Sequence, residues 1–91
     1  MKIFQSRSFA KKVKKLNKHG KSILDDQIRS IIKNPSIGDE KKGDLKGIFV
    51  HKFKAKTTQY ILAYRIFEGN LELVMLGPHE NYYRDLKKSI K

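Results

Sequence analysis

The chain contains no cysteine, which removes disulfides, thiolate metal sites and a cysteine nucleophile from consideration. Acidic side chains are scarce, with nine Asp and Glu against 21 Lys and Arg. Apolar residues make up only 38% of the 91 positions. A chain of this length buries roughly 60–65% of its unfolded surface, so a single thin core is expected. No apolar run approaches the length of a membrane span, and Met1-Lys2-Ile3-Phe4-Gln5-Ser6 lacks the hydrophobic segment of a signal peptide. These absences lead to the expectation of a soluble, cytoplasmic protein with no membrane partner. The histidines, at 19, 51 and 79, are scattered and have no clustered carboxylates, so no metal and no cofactor are expected. Gly43-Asp44-Leu45-Lys46-Gly47 is not a phosphate loop, because it lacks the Gly-Lys-Ser/Thr ending and precedes a strand.

What is abundant is positive charge. The net charge of +12 calls for an anionic partner, nucleic acid or an acidic protein, bound in a salt-sensitive way. About +8 of it falls before residue 34, where ten basic residues face Asp25 and Asp26.

Residues 1–91 read as one domain. Lys2 to Gln5 alternates as a short strand. Ser6 or Ser8 is placed to cap a helix whose Phe9, Val13 and Leu16 form a narrow apolar stripe opposite Lys11, Lys12, Lys14 and Lys15. Asn17 to Gly20 is expected to end it, with Gly20 in the left-handed position and His19 complementing the helix end. A second helix is expected from Ser22, which has Asp25 three residues on, through Leu24, Ile28, Ile31 and Ile32 to the stop at Asn34-Pro35. The close spacing predicts an antiparallel helical hairpin. Residues 35–47 read as a loop anchored by Ile37 and Leu45. Three strands follow, Ile48 to Ala55, Gln59 to Phe67 and Leu71 to Leu76, joined by turns at Lys56-Thr57-Thr58 and Glu68-Gly69-Asn70. A short C-terminal helical turn would point Tyr83, Leu86 and Ile90 inward. The fold class is therefore α+β, in the order β-α-α-β-β-β. An antiparallel sheet would pack one face on the helical hairpin and leave the other open.

The open face would carry Lys52 and Lys54, with Arg65 on the next strand, while the last strand releases Gly77-Pro78-His79 beside them. Two ammonium groups and a guanidinium suit a phosphate, and an imidazole can move a proton there. Tyr82 and Tyr83 offer rings for base stacking. Together these are the parts of a ribonuclease in which the RNA's own 2′-hydroxyl is the nucleophile. His51, on the Phe49 and Phe53 side, reads instead as a half-buried hydrogen-bonding residue.

The order of elements, Asn34-Pro35, Gly43-Asp44-Leu45-Lys46-Gly47, Tyr60-Ile61-Leu62-Ala63-Tyr64-Arg65 and the ending Gly77-Pro78-His79-Glu80-Asn81-Tyr82-Tyr83-Arg84-Asp85-Leu86 together resemble the RelE/ParE superfamily of type II toxins. The resemblance covers nearly the whole chain. It implies a toxin paired with an acidic antitoxin, nearest to the RelE and YafQ-like branches, which cleave messenger RNA at the ribosome. Lys52 and Lys54 look like the lysine pair that RelE carries on this strand. His79 stands where the YafQ, YoeB and HigB branches place a catalytic histidine, and Tyr83 is similar to an assisting C-terminal aromatic. Ile61 departs from RelE and YoeB, which have arginine there; YafQ-like members share an apolar residue. The site expected on this basis is His79, Lys52, Lys54, Arg65 and Tyr83, in an endoribonuclease that uses no metal. Inhibition of DNA gyrase, as by ParE-like members, is the alternative, and a non-toxic nucleic-acid-binding module is the third reading.

Overall fold

The computed structural model describes residues 1–78 and 82–89, the latter without the side chains of residues 83–85 and 89. Strand β1 (Ile3–Gln5) leads directly into helix α1 (Arg7–Lys14). Ser6 makes the junction: its Oγ accepts the N–H of Phe9 at 3.0 Å and donates to the Val74 carbonyl. One hydroxyl thus caps the helix and ties it to the sheet.

Helix α2 (Lys18–Lys33) begins a turn earlier than the sequence suggests. Its cap is Asn17, whose Oδ1 accepts the Gly20 N–H at 2.7 Å, and not Ser22. Asn is as good a cap as Ser, and the one poor helix former between 18 and 22, Gly20, costs only about 1 kcal/mol inside a helix. Gly20 is therefore inside α2 and buried. A Cβ there would come within 3.3 Å of Asn17 Oδ1 and 3.5 Å of Leu16 Cβ, so close approach, not a left-handed backbone, is what the glycine provides. His19 is corrected with it: it lies in the first turn, at the positive end of the helix dipole, and not at the end it would complement.

The segment expected to be an unstructured loop contains strand β2 (Asp39–Glu40) and a 3-10 turn (Gly43–Leu45). Leu45 is buried as expected, but Ile37 is 43% exposed. The segment is anchored instead by Tyr64, whose hydroxyl donates to the Pro35 carbonyl at 2.6 Å and accepts the Gly38 N–H at 3.0 Å.

Strands β3 (Phe49–Ala55), β4 (Thr58–Phe67) and β5 (Asn70–Pro78) form the expected meander. The whole sheet runs β1-β5-β4-β3-β2, with β2 to β5 antiparallel and β1 added parallel to β5 at the edge. The Glu68-Gly69 turn has positive φ at both residues, 52° and 75°, as a two-residue hairpin with right-handed twist requires.

The α1–α2 face buries Phe9, Leu24 and Ile31 against Phe53, Leu62, Tyr64, Leu71, Leu73 and Leu76. The opposite face is less open than expected. Helix α3 (Tyr82–Ser89) and the 3-10 turn contribute Tyr82, Leu86 and Leu45 to a second core with Ile48, Val50, Ile61, Ala63, Val74 and Met75. The reason lies in β4, where residues 61–64 are fully buried in succession; a strand apolar on both sides needs cover on both. An irregularity between Ala63 and Tyr64 pairs Ala63 with Met75 but Tyr64 with Leu73. Val74 is thereby left over, and it joins Met75 in this second core.

Candidate functional site

Of the five residues expected to form the site, the structure brings two together. Lys52 and Lys54 are exposed on the face of β3 away from α1 and α2. Lys52 stands opposite Ile61, which in turn pairs with Gly77, while Lys54 stands opposite Gln59. The pair therefore shares the end of the sheet at which β5 finishes, with Tyr60 paired to Pro78. Neither lysine is in an ion pair among the described residues.

Arg65 is apart from them. It pairs with Glu72 across β4 and β5 and its side chain is bonded to that carboxylate. Four residues of strand put it ~13 Å beyond Ile61 at ~3.3 Å per residue. The covered row Val50–Ala63–Met75 lies between. Here Arg65 is half of a partly exposed surface pair beside Phe4 and Phe67, not a neighbour of the lysines. His79 lies outside the described residues. So does the Tyr83 side chain, although its backbone belongs to α3.

Tyr82 is not a free stacking ring. It is buried, and its hydroxyl donates to the Met75 carbonyl at 2.9 Å. Its ring also lies 3.4 Å from where a Gly77 Cβ would be. Tyr82 and Leu86, four residues apart, are buried on the inner side of α3, Leu86 as expected; whether Tyr83 also points inward lies outside the described residues. Ile90 lies outside the described residues. The i, i+4 relation of Tyr82 to Leu86 was the available signal.

His51 is half-buried, with Nε2 2.6 Å from Gln27 Oε1, and burial holds its pKa below the ordinary 6.5. It is neutral at pH 7 and engaged with α2. Tyr64 is shifted upward by burial, partly offset by the hydrogen bond from Gly38. Among the described residues no group of three His, Cys, Asp or Glu is placed to hold a metal ion, and no helix is long and apolar enough to cross a membrane.

A family model, the ParE-like toxin of type II bacterial toxin–antitoxin systems, matches residues 3–87. The chain belongs to this family. Solved structures share the toxin's fold. A double arginine-to-alanine variant of the Escherichia coli toxin RelE in the free state superimposes with a TM-score of 0.76 at 17% identity, covering 99% of this chain and 97% of that one. The intact E. coli RelBE toxin–antitoxin complex gives 0.69 at 17%, covering 87% and 96%. The isolated E. coli RelE toxin gives 0.67 at 17%, covering 96% of each chain. No curated protein matches the sequence. At this identity the structures establish the toxin's fold, and its chemistry has to be argued from its own residues.

Proposed function

We propose that this toxin arrests growth by cleaving messenger RNA at the ribosome, in the cytoplasm. The observation that carries the reading is the exposed pair Lys52 and Lys54 at the end of the sheet where β5 finishes, one residue before His79. In the reaction, a base takes the proton of the RNA's 2′-hydroxyl and that oxygen attacks the adjacent phosphorus. The 5′-oxygen leaves with a proton from an acid, giving a 2′,3′-cyclic phosphate and a 5′-hydroxyl. Lys52 and Lys54 would neutralise charge developing on the phosphate, an effect that acts mainly on the transition state. His79 is assigned the proton transfer by its resemblance to the nuclease branches, and Tyr83, on the same resemblance, the positioning of a base or of the histidine. Arg65, held by Glu72 far from the lysines, has no part in this scheme.

The partner follows from charge. E. coli RelE is found in complex with an antitoxin, and a surface of +12 suits an acidic antitoxin segment laid across it. Such a segment would offset the self-repulsion as well as block RNA.

Inducing the wild type, Lys52→Ala, His79→Ala and Arg65→Ala and following growth and transcript integrity tests the reading. Transcripts should be cut by the wild type and Arg65→Ala, and left intact by the other two. Intact transcripts during wild-type arrest, or full activity of both Lys52→Ala and His79→Ala, would overturn it. Gyrase inhibition by protein contact is the second reading, favoured by Ile61, a buried apolar residue where two nuclease branches carry arginine. Inhibition of purified gyrase by this toxin would establish it.

A further inference from the structure

A cavity of about 280 Å³ lies on the helical side of the β3–β4 hairpin, between the hairpin tip and the link from α1 to α2. Lys15 and His19 line it from the helices, and Lys56, Thr57 and Tyr60 line it from the hairpin. No carboxylate is among its described lining residues. Basic side chains on facing walls without a counter-charge repel one another, so this arrangement is one that an anion would stabilise. Tyr60 is half-buried and stacked on Phe53 with ring centroids 5.7 Å apart. Its hydroxyl has no hydrogen-bond partner among the described residues and is free to donate. Lys56 has a φ of 58°, a left-handed conformation that glycine or asparagine adopts with less strain. A lysine is thus held where the backbone alone would favour another residue. The volume is at the small end for ligand sites, suited to a phosphate and its sugar and too small for a longer segment.

We propose that this cavity binds a backbone phosphate of the RNA strand, forming a second anchoring point beyond Lys52 and Lys54. The proposal rests on the RNA-cleaving reading. Lys52 and Lys54 project from β3, and Lys56 follows at the tip of the same hairpin. The cations therefore lead from the open end of the sheet around the tip into the cavity. Phosphate contacts of this kind set register and orientation without reading bases. The cavity would fix how the strand lies on the lysine pair and thereby which phosphate is cut.

The test uses the full 91-residue chain, isotopically labelled, titrated with inorganic phosphate and then with a 2′-O-methyl tetranucleotide that cannot be cleaved. Amide shifts at residues 15–20 and 55–60 should saturate together with inorganic phosphate. Lys15→Gln with Lys56→Asn should weaken the oligonucleotide about tenfold and lower the salt slope by ~0.7, the value for one phosphate no longer neutralised on a single strand. Asparagine tolerates the backbone at 56, and a thermal melt checks that the variant is folded. Lys33→Gln with Lys46→Gln removes the same charge elsewhere and should weaken binding by much less. Equal weakening by both pairs, or phosphate shifts spread evenly over all lysines, would overturn the proposal. If Lys52→Ala and His79→Ala both cleave normally, the nuclease reading fails whatever the cavity binds. If they fail to cleave and the cavity shows no localised shift, only the second anchoring point is lost.

Discussion

Replacing Gly38 by alanine tests how the 35–40 segment is held against the sheet. The added Cβ would lie 2.8 Å from the Tyr64 hydroxyl oxygen, 2.9 Å from the Val50 carbonyl oxygen and 3.1 Å from Tyr64 Cε1. Neither neighbour can give way cheaply. Tyr64 is fully buried, stacked on Phe49 with centroids 5.4 Å apart, and bonded to Pro35. Val50 is in the middle of the sheet, paired with Ala63 on one side and Asp39 on the other. The methyl group must therefore push β2 away, breaking the bond from the Gly38 N–H to Tyr64. Overpacking costs about 1–3 kcal/mol and a broken hydrogen bond about 1 kcal/mol, so a total of ~2–4 kcal/mol is expected. For a domain of this size that is a fall in Tm of roughly 10–30 °C.

Two comparisons isolate the cause. Gly43 has a φ of +69° with nothing near its missing Cβ, so Gly43→Ala meets only backbone strain of ~1–2 kcal/mol, which Gly43→Asn should largely relieve. Gly38→Asn should relieve nothing. In a Tyr64→Phe background, Gly38→Ala should cost less than it does alone, because the hydroxyl contact is gone while the Val50 contact remains. Urea denaturation of the parent, the single variants and the double variant gives all of these values. A Gly38→Ala protein within ~0.5 kcal/mol of the parent, or one no worse than Gly43→Ala, would refute the close-approach argument.

The cap of α2 gives a second contrast: Asn17→Ala should cost about 1 kcal/mol, whereas Ser22→Ala, inside the helix, should be neutral or slightly stabilising; equal losses in denaturant melts would place the cap wrongly. His51 supplies a pH dependence. Its folded pKa lies below 6.5 because of burial, so the unfolded chain takes up the proton first. Stability should therefore fall as pH drops through 6.5 and level off below the folded pKa. The parent should lose stability between pH 7.5 and 5.5 and His51→Gln should lose less; an NMR titration of His51 at or above 6.5 would contradict this.

Much of the fold was legible because its signals were local. Phe9 and Val13 marked the inner face of α1, with Leu16 packed on the same core just past the helix end, and the alternation of Phe49, His51 and Phe53 assigned β3 its two faces. The Asn34-Pro35 stop ended α2 at Lys33. What was misread depended on distant partners. Gly20 looks like a helix end until Asn17 is seen to cap the helix that contains it. Ile37 looks like an anchor, but Tyr64, 26 residues beyond Gly38, supplies it through two hydrogen bonds. The second core was written in the unbroken apolar run from Tyr60 to Tyr64, which an open face would not require. For the site, strand parity put Lys52 and Lys54 on one surface. It could not show that Glu72 engages Arg65 or that a covered row separates Arg65 from the lysines.

The second core also changes what Ile61 means. Read as a sequence, it is a missing clamp, an apolar residue where two nuclease branches carry a guanidinium. In the fold it is fully buried and belongs to the cluster that seats Tyr82 and Leu86 of α3. Its partner Gly77 lies against the Tyr82 ring. Introducing arginine there would not simply restore a clamp. Among the described residues no charged side chain is buried, and an unpaired buried charge costs several kcal/mol, on the order of 3–5. The side chain would have to reach water by lifting the start of α3. Ile61→Arg should therefore lower stability and speed amide exchange across residues 82–89, with no gain in RNA cleavage. A stably folded Ile61→Arg toxin that cuts RNA faster would show that α3 leaves room for a guanidinium, and that Lys52 and Lys54 had lacked a partner which this position can supply.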